Sequence, residues 1–140
     1  GESVVQSPNT PPCLLMSKPF QITEFAFVAY PSTDQARSRA FYEGVLGLTS
    51  SMCFEENGQF YVEYEIGPHT LGVGNEPFLK PCANGPHVVL EVENFDTAIE
   101  HLRRHGVPFA LDPFDMPACR AAIIQDPDGN PLGIHKRHHG

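Results

Sequence analysis

The feature that most constrains this chain is an internal repeat: a strand, a helix and three further strands occur twice in the same order. In the first copy Ile22-Thr23-Glu24-Phe25-Ala26-Phe27-Val28-Ala29-Tyr30 is rich in β-branched and aromatic residues, the composition of a strand. Pro31-Ser32-Thr33-Asp34 breaks that strand and offers a Ser, Thr or Asp side chain to cap a helix. From Gln35 the apolar residues Ala36, Ala40, Phe41, Val45 and Leu46 recur at helical spacing, and Gly47 stops the helix. Three strands are predicted next: Thr49 to Phe54, Gln59 to Ile66 and Thr70 to Gly74. Asn57-Gly58 and Gly67-Pro68 supply the turns between them.

After an irregular stretch from Asn75 to Pro86 the order returns. His87 to Val92 reads as a strand, and Asn94 or Asp96 can cap the helix carrying Ala98, Ile99 and Leu102 on one face, which Gly106 ends. Strands are predicted at Phe109 to Leu111, Arg120 to Gln125 and Pro131 to His135, the last two joined by the turn Asp126-Pro127-Asp128-Gly129-Asn130. Two copies of about 60 residues are too few for a solenoid, which needs three or more. They are expected to close around each other as one α+β domain over residues 20–137, with βαβββ modules at about 21–74 and 86–137. Residues 1–19 carry Pro8, Pro11, Pro12 and Pro19 and no hydrophobic period. They read as a flexible leader, a tag remnant or a misassigned start before Met16-Ser17-Lys18.

The charge balance excludes some partners. A formal net charge of -8 opposes nucleic acid, whose phosphates call for a field of Lys and Arg. The short basic stretch from His135 to His139 reads as a solvated end. Cys13, Cys53, Cys82 and Cys119 show no paired spacing, so buried or incidental thiols in a reducing compartment are expected rather than a disulfide framework or zinc site. No apolar run approaches the ~20 residues of a membrane span. A cytoplasmic protein with no membrane partner follows as the expectation. No G-x-S-x-G, phosphate-binding glycine loop or Cys paired with His is present.

Three segments carry a family resemblance. They are Ala36-Arg37-Ser38-Arg39-Ala40-Phe41-Tyr42 running into Val45-Leu46-Gly47-Leu48, then Gly85-Pro86-His87-Val88-Val89-Leu90-Glu91-Val92, then Asp126-Pro127-Asp128-Gly129-Asn130-Pro131-Leu132. In that order the chain resembles the vicinal-oxygen-chelate superfamily of glyoxalases, bleomycin-resistance proteins and dioxygenases. The resemblance implies paired curved sheets forming a cup, usually completed by a homodimer, that takes a small molecule. It also implies one divalent metal, held by His or Gln on the first strand of each module and Glu on the last. Such a metal chelates neighbouring substrate oxygens and acts as a Lewis acid.

Residue by residue, the implied first-strand positions are Glu24 and His87, while the last-strand positions fall on Gly72 and Gly133, which carry no donor. His135 lies two residues past Gly133, on the same face of its strand. A Glu24, His87 and His135 metal set is one expectation, and no metal at all is the other. Glu24 and His87 are also candidates for acid–base catalysis without metal. Phe54, Tyr64, Gly72, Gly133 and His135 are candidate pocket residues, the two glycines allowing close approach at the cup floor. Three functions stay open: a binder of a partly apolar small molecule with a degenerate metal site, a metal-dependent lyase, dioxygenase, epimerase or thiol transferase with non-standard ligands, and a metal-free acid–base enzyme.

Overall fold

The computed structural model describes residues 19–138; the leader lies almost entirely outside the described residues. Two four-stranded mixed sheets carry the repeat. In the first module β1 (Val28–Pro31), α1 (Gln35–Arg39), β2 (Ser50–Glu56), β3 (Gln59–Ile66) and β4 (His69–Gly74) form a sheet of order β1-β4-β3-β2. In the second, β5 (Val88–Glu91), α2 (Phe95–Arg104), β6 (Phe109–Asp115), β7 (Cys119–Gln125) and β8 (Pro131–Arg137) repeat it as β5-β8-β7-β6. β1 pairs with β4 in parallel, and β5 with β8, while the other pairings are antiparallel. The α+β class and the doubled βαβββ order expected from sequence are what the chain forms.

The local signals act as their chemistry dictates. Asp34 caps α1 by accepting from the Arg37 N–H, and Asn94 caps α2 by accepting from the Thr97 N–H, both at 3.0 Å. Asn57 and Gly58 both take positive φ, as the tight hairpin turn between β2 and β3 requires. Several strand ends shift by one or two residues from expectation, and three elements differ by more. β1 runs Val28–Pro31 and does not start at Ile22; it pairs in parallel with Leu71–Gly74 of β4. In this register residues 21–25 extend past the start of β4 at His69, and Phe25 is 91% exposed. β6 runs past Leu111 to Asp115, with register shifts against β7 around Pro113. The first helix leaves the α form at Ala40 and widens into a π-helical turn, Ala40–Val45, where the Leu46 N–H reaches the Phe41 carbonyl at 2.9 Å. That turn carries the adjacent residues Phe41 and Tyr42 both into the core.

One core serves both modules. Tyr30, Phe41, Tyr42, Val62, Tyr64 and Leu71 of the first cluster with Phe95, Ile99, Leu102, Ile124, Leu132 and Ile134 of the second. Polar groups lock the halves in register. The Tyr42 hydroxyl donates to Asp126 Oδ2 at 2.6 Å, and Asn130 Nδ2 donates to the same oxygen at 2.9 Å. Asp126 Oδ1 accepts from the Asp128 and Asn130 backbone N–H groups. The Tyr30 hydroxyl donates to the Pro131 carbonyl at 2.6 Å and accepts from the Val88 N–H. Burial and the Asp126 charge push the Tyr42 phenol far above its ordinary pKa, so it remains a donor. Tyr42→Phe should lower stability by about 1–3 kcal/mol, the cost of a buried acceptor losing a donor. Urea unfolding should show a lower midpoint at unchanged slope; an unchanged midpoint would show that this contact does not join the modules.

Candidate ligand site

Strand alternation divides each sheet into a helix-covered face and an open one. In β3 the buried residues Phe60, Val62 and Tyr64 face the core, so Tyr61, Glu63 and Glu65 face the open side. In β4 Leu71 and Val73 are core, which turns Gly72 and Gly74 to the open side. Register places Glu63 beside Gly72 and Tyr61 beside Gly74.

Both glycines are there because other side chains occupy their space. A Cβ on Gly72 would overlap the Tyr61 ring, with Cε1 at 2.7 Å. A Cβ on Gly74 would lie 2.7 Å from Glu76 Oε1 and 2.8 Å from the Phe60 carbonyl. Tyr61 leans diagonally across β4 and donates its hydroxyl to Glu63 Oε2 at 2.9 Å. Past Gly74 the chain is clamped by Asn75, which accepts from the Phe60 N–H and donates to the Gly58 carbonyl. A turn closed by the Leu79 N–H on the Glu76 carbonyl then brings Phe78 and Leu79 over the sheet. The result is a cavity of about 430 Å³ with Ala29, Tyr61 and Glu63 at its base and Phe27, Phe78, Leu79 and Glu76 at its walls. The Phe27 and Tyr61 rings meet edge to face at 6.2 Å. Burial first, then Glu63 and Glu76, push the Tyr61 phenol above its ordinary pKa, so it stays a neutral donor.

The second module has a matching floor with different furniture. Val89 is the register partner of Gly133, and its Cγ2 lies 2.9 Å from where a Gly133 Cβ would stand. One residue pair along, His135 Nδ1 donates to Glu91 Oε1 at 2.6 Å, and the Arg137 N–H donates to Glu91 Oε2 at 2.7 Å. The Arg137 N–H first, and His135 second, hold the Glu91 carboxyl below the usual Glu range. A separate cavity of about 390 Å³ between the start of β4 and β5 shares Phe27 with the first and is bounded by Val89 and Glu91.

The residues expected from sequence are only partly brought together. Gly72 and Gly133 occupy the two floors, and His135 and Phe54 lie on open faces. Tyr64 does not: it is fully buried on the helix side, stacked on Tyr42 at 5.8 Å and donating to Glu43. It shares the parity of Val62, so it belongs to the core and not to the pocket. Glu24 is exposed ahead of β1, and His87 is exposed just before β5. Among the described residues no three His, Cys, Asp or Glu side chains converge on a point where a metal could sit. The Glu24, His87 and His135 set is thus not assembled within the chain, because residues 21–27 form no strand and His135 is engaged by Glu91. The donors present do not fit a metal centre of the expected kind. Tyr61, Glu76 and Phe27 were missed at the sequence level. Alternation from Glu63 could have found Tyr61, whereas Glu76 sits in an irregular stretch with no periodicity to read.

Residues 24–134 match the family described as the Glyoxalase/Bleomycin resistance protein/Dioxygenase superfamily, and the chain belongs to it. Among its relatives is the uncharacterized protein YaeR of Escherichia coli (strain K12), 29% identical over 125 residues, covering 79% of this chain and 93% of YaeR. CFP32 of Mycobacterium tuberculosis (strain CDC 1551 / Oshkosh), provisionally named a glyoxylase, is 33% identical over 98 residues, 69% of this chain. That match spans 38% of CFP32's length. Among solved structures, TnmS3 from Streptomyces sp. CB03234, an antibiotic binding protein, superposes with a TM-score of 0.71 at 21% identity, covering 84% of this chain and 98% of that one. A glyoxalase/dioxygenase from Nostoc punctiforme gives a TM-score of 0.70 at 19% identity, with 89% and 97% coverage. These likenesses establish the fold.

The packing at Gly72 makes a direct prediction. Gly72→Ala should cost about 1–3 kcal/mol from overpacking against the Tyr61 ring. In a Tyr61→Ala background the same change should cost little, because the clash is gone. Additive losses in a double-mutant cycle would contradict the proposed contact.

Proposed function

We propose that this chain binds a partly apolar small molecule on the open face of its first module, and that binding requires no metal. The observation that carries this reading is the cavity over Gly72 and Gly74. Its size is typical of small-molecule sites, and aromatic walls surround a few converging polar groups. The two floor positions where the resemblance implies carboxylate ligands are covered instead by Tyr61 and Val89. TnmS3, whose stated role is antibiotic binding, uses the same fold, which is compatible with this use.

Two further parts belong to the proposal. The chain acts as a homodimer, supported by the apolar residues left exposed on the open faces and ahead of β1, among them Phe25, Phe54, Val89 and Leu111. It works in a reducing, cytoplasmic setting, supported by the free thiols of Cys53, Cys82 and Cys119. Cys53 and Cys82 are exposed and Cys119 is half-buried, so of the buried or incidental thiols expected none among the described residues is fully buried. No helix among the described residues is long and apolar enough to cross a membrane.

A second reading, a metal-free acid–base enzyme, is favoured by one observation. Glu91 holds His135 by Nδ1, which fixes the ring and leaves Nε2 to accept a proton. In that reading His135 carries the chemistry in place of Glu24 or His87, for which the structure gives no comparable orienting partner.

The test is an NMR titration with neutral 2-naphthylmethanol before and after dialysis against EDTA, with sedimentation of the same sample. Saturable binding with Kd below about 1 mM, unchanged by the chelator and centred on the Gly72 and Gly74 amides, supports the reading. A mass of twice the 15.4 kDa chain supports the dimer, and a single-chain mass contradicts it. Binding abolished by EDTA overturns metal independence. Turnover in chelated protein that is lost in His135→Gln would favour the second reading.

A further inference from the structure

We infer that the ligand of the first-module cavity is an organic cation, a protonated amine carried on an aromatic or alicyclic body. This rests on the binding reading above and adds the charge of the ligand. Three features of one cavity carry it.

The first is an unmet hydrogen-bond demand. Glu76 Oε1 is buried and has no hydrogen-bond partner among the described residues. Buried polar atoms are almost always paired, so this carboxylate is under-compensated where it sits, and Glu76 also borders the cavity, where a ligand's charge can offset its own. A cation supplies both the donor and the opposite charge, so the contact is the stronger, charge-assisted kind.

The second is the character of the remaining polar atoms. Glu63 adds a second carboxylate at the base of the same cavity, and it accepts a hydrogen bond from the neutral Tyr61 hydroxyl. Among the described residues, no Lys, Arg or His lines this cavity. An anionic ligand would meet two carboxylates and no cation, and the whole chain's net charge of -8 adds to the repulsion.

The third is the wall. Phe27, Phe78 and the Tyr61 ring border the same space. Aromatic faces attract a desolvated ammonium group and also accept an apolar ring beside it. The glycines explain how such a site arises at this place. Gly72 and Gly74 leave room for Tyr61 and Glu76 against the sheet, so that one carboxylate reaches the base from β3 and another reaches the wall from the loop after β4.

The experiment compares 2-naphthylmethylamine, protonated at pH 7, with the neutral 2-naphthylmethanol of matching shape. Both are titrated into the full chain at physiological salt, where long-range attraction to the net charge is screened. The amine should bind about tenfold or more tightly than the alcohol, the scale of one charge-assisted hydrogen bond. Shifts should centre on the Gly72 and Gly74 amides. Glu76→Gln should abolish the preference for the amine while keeping alcohol binding, and Glu63→Gln should reduce it. Glu100→Gln, the same charge change at an exposed position on α2, should leave it intact.

If Glu76→Gln does not fold, the Glu63→Gln comparison decides. Equal affinity for amine and alcohol, or a preference that survives both cavity substitutions, overturns the cation assignment and leaves the binding reading standing. Amine binding that shifts other residues overturns the assignment as well. Binding of neither probe overturns both.

Discussion

The Asp126 carboxylate, buried in the turn between the last two strands, is the contact on which the rest of the architecture depends. Its two oxygens take four donors: the Tyr42 hydroxyl, the Asn130 amide, and the backbone N–H groups of residues 128 and 130. A buried charge is tolerated only when its hydrogen bonds are met, and here the meeting requires both modules. Tyr42 comes from the π-helical turn of the first, while the other donors come from the β7–β8 turn of the second. Outside this hub Arg37 and Thr33 bind Asp128, and Asn130 reaches the Pro31 carbonyl. The modules are therefore joined on their helix-covered sides, and the opposite sheet faces stay open.

Those open faces decide what the protein can do. In an ordinary sheet they would be filled by alternating side chains from every strand. Here the strand beside β1 and the strand beside β5 each present a glycine at the equivalent register, opposite Ala29 and Val89. The two floors then diverge. Tyr61 and two carboxylates furnish the first, whereas an aliphatic side chain and an oriented His–Glu pair furnish the second. One repeat thus yields two chemically different surfaces, with the polar-and-aromatic cavity on the first.

Much of the scaffold was legible because it is encoded locally. Asp34, Asn94, Asn57-Gly58, Gly47 and Gly106 each act within a few residues, and each does what its chemistry implies. The misread parts depend on partners distant in sequence. Where β1 begins depends on its pairing with β4, which the composition of residues 22–30 cannot report. Alternation says which residues share a face with Tyr64, not which face is buried; the stack on Tyr42 decides that. The π-helical turn leaves the apolar spacing of a helix nearly intact, so periodicity does not reveal it. At the site, the absence of donors at Gly72 and Gly133 could be read directly. The reason for those glycines could not, since Tyr61 and Glu76 reach them only after the sheet has formed.

The central claim is that the ligand rests on the Gly72 and Gly74 floor of the first module. Photolabelling with a neutral aryl-diazirine benzyl alcohol, followed by peptide mapping, tests it most directly. The account predicts saturable labelling on Phe27, Tyr61 or Phe78, competed by unlabelled 2-naphthylmethanol. Labelling confined to the groove between the first helix and α2, at Val45, Leu46 or His101, would contradict it.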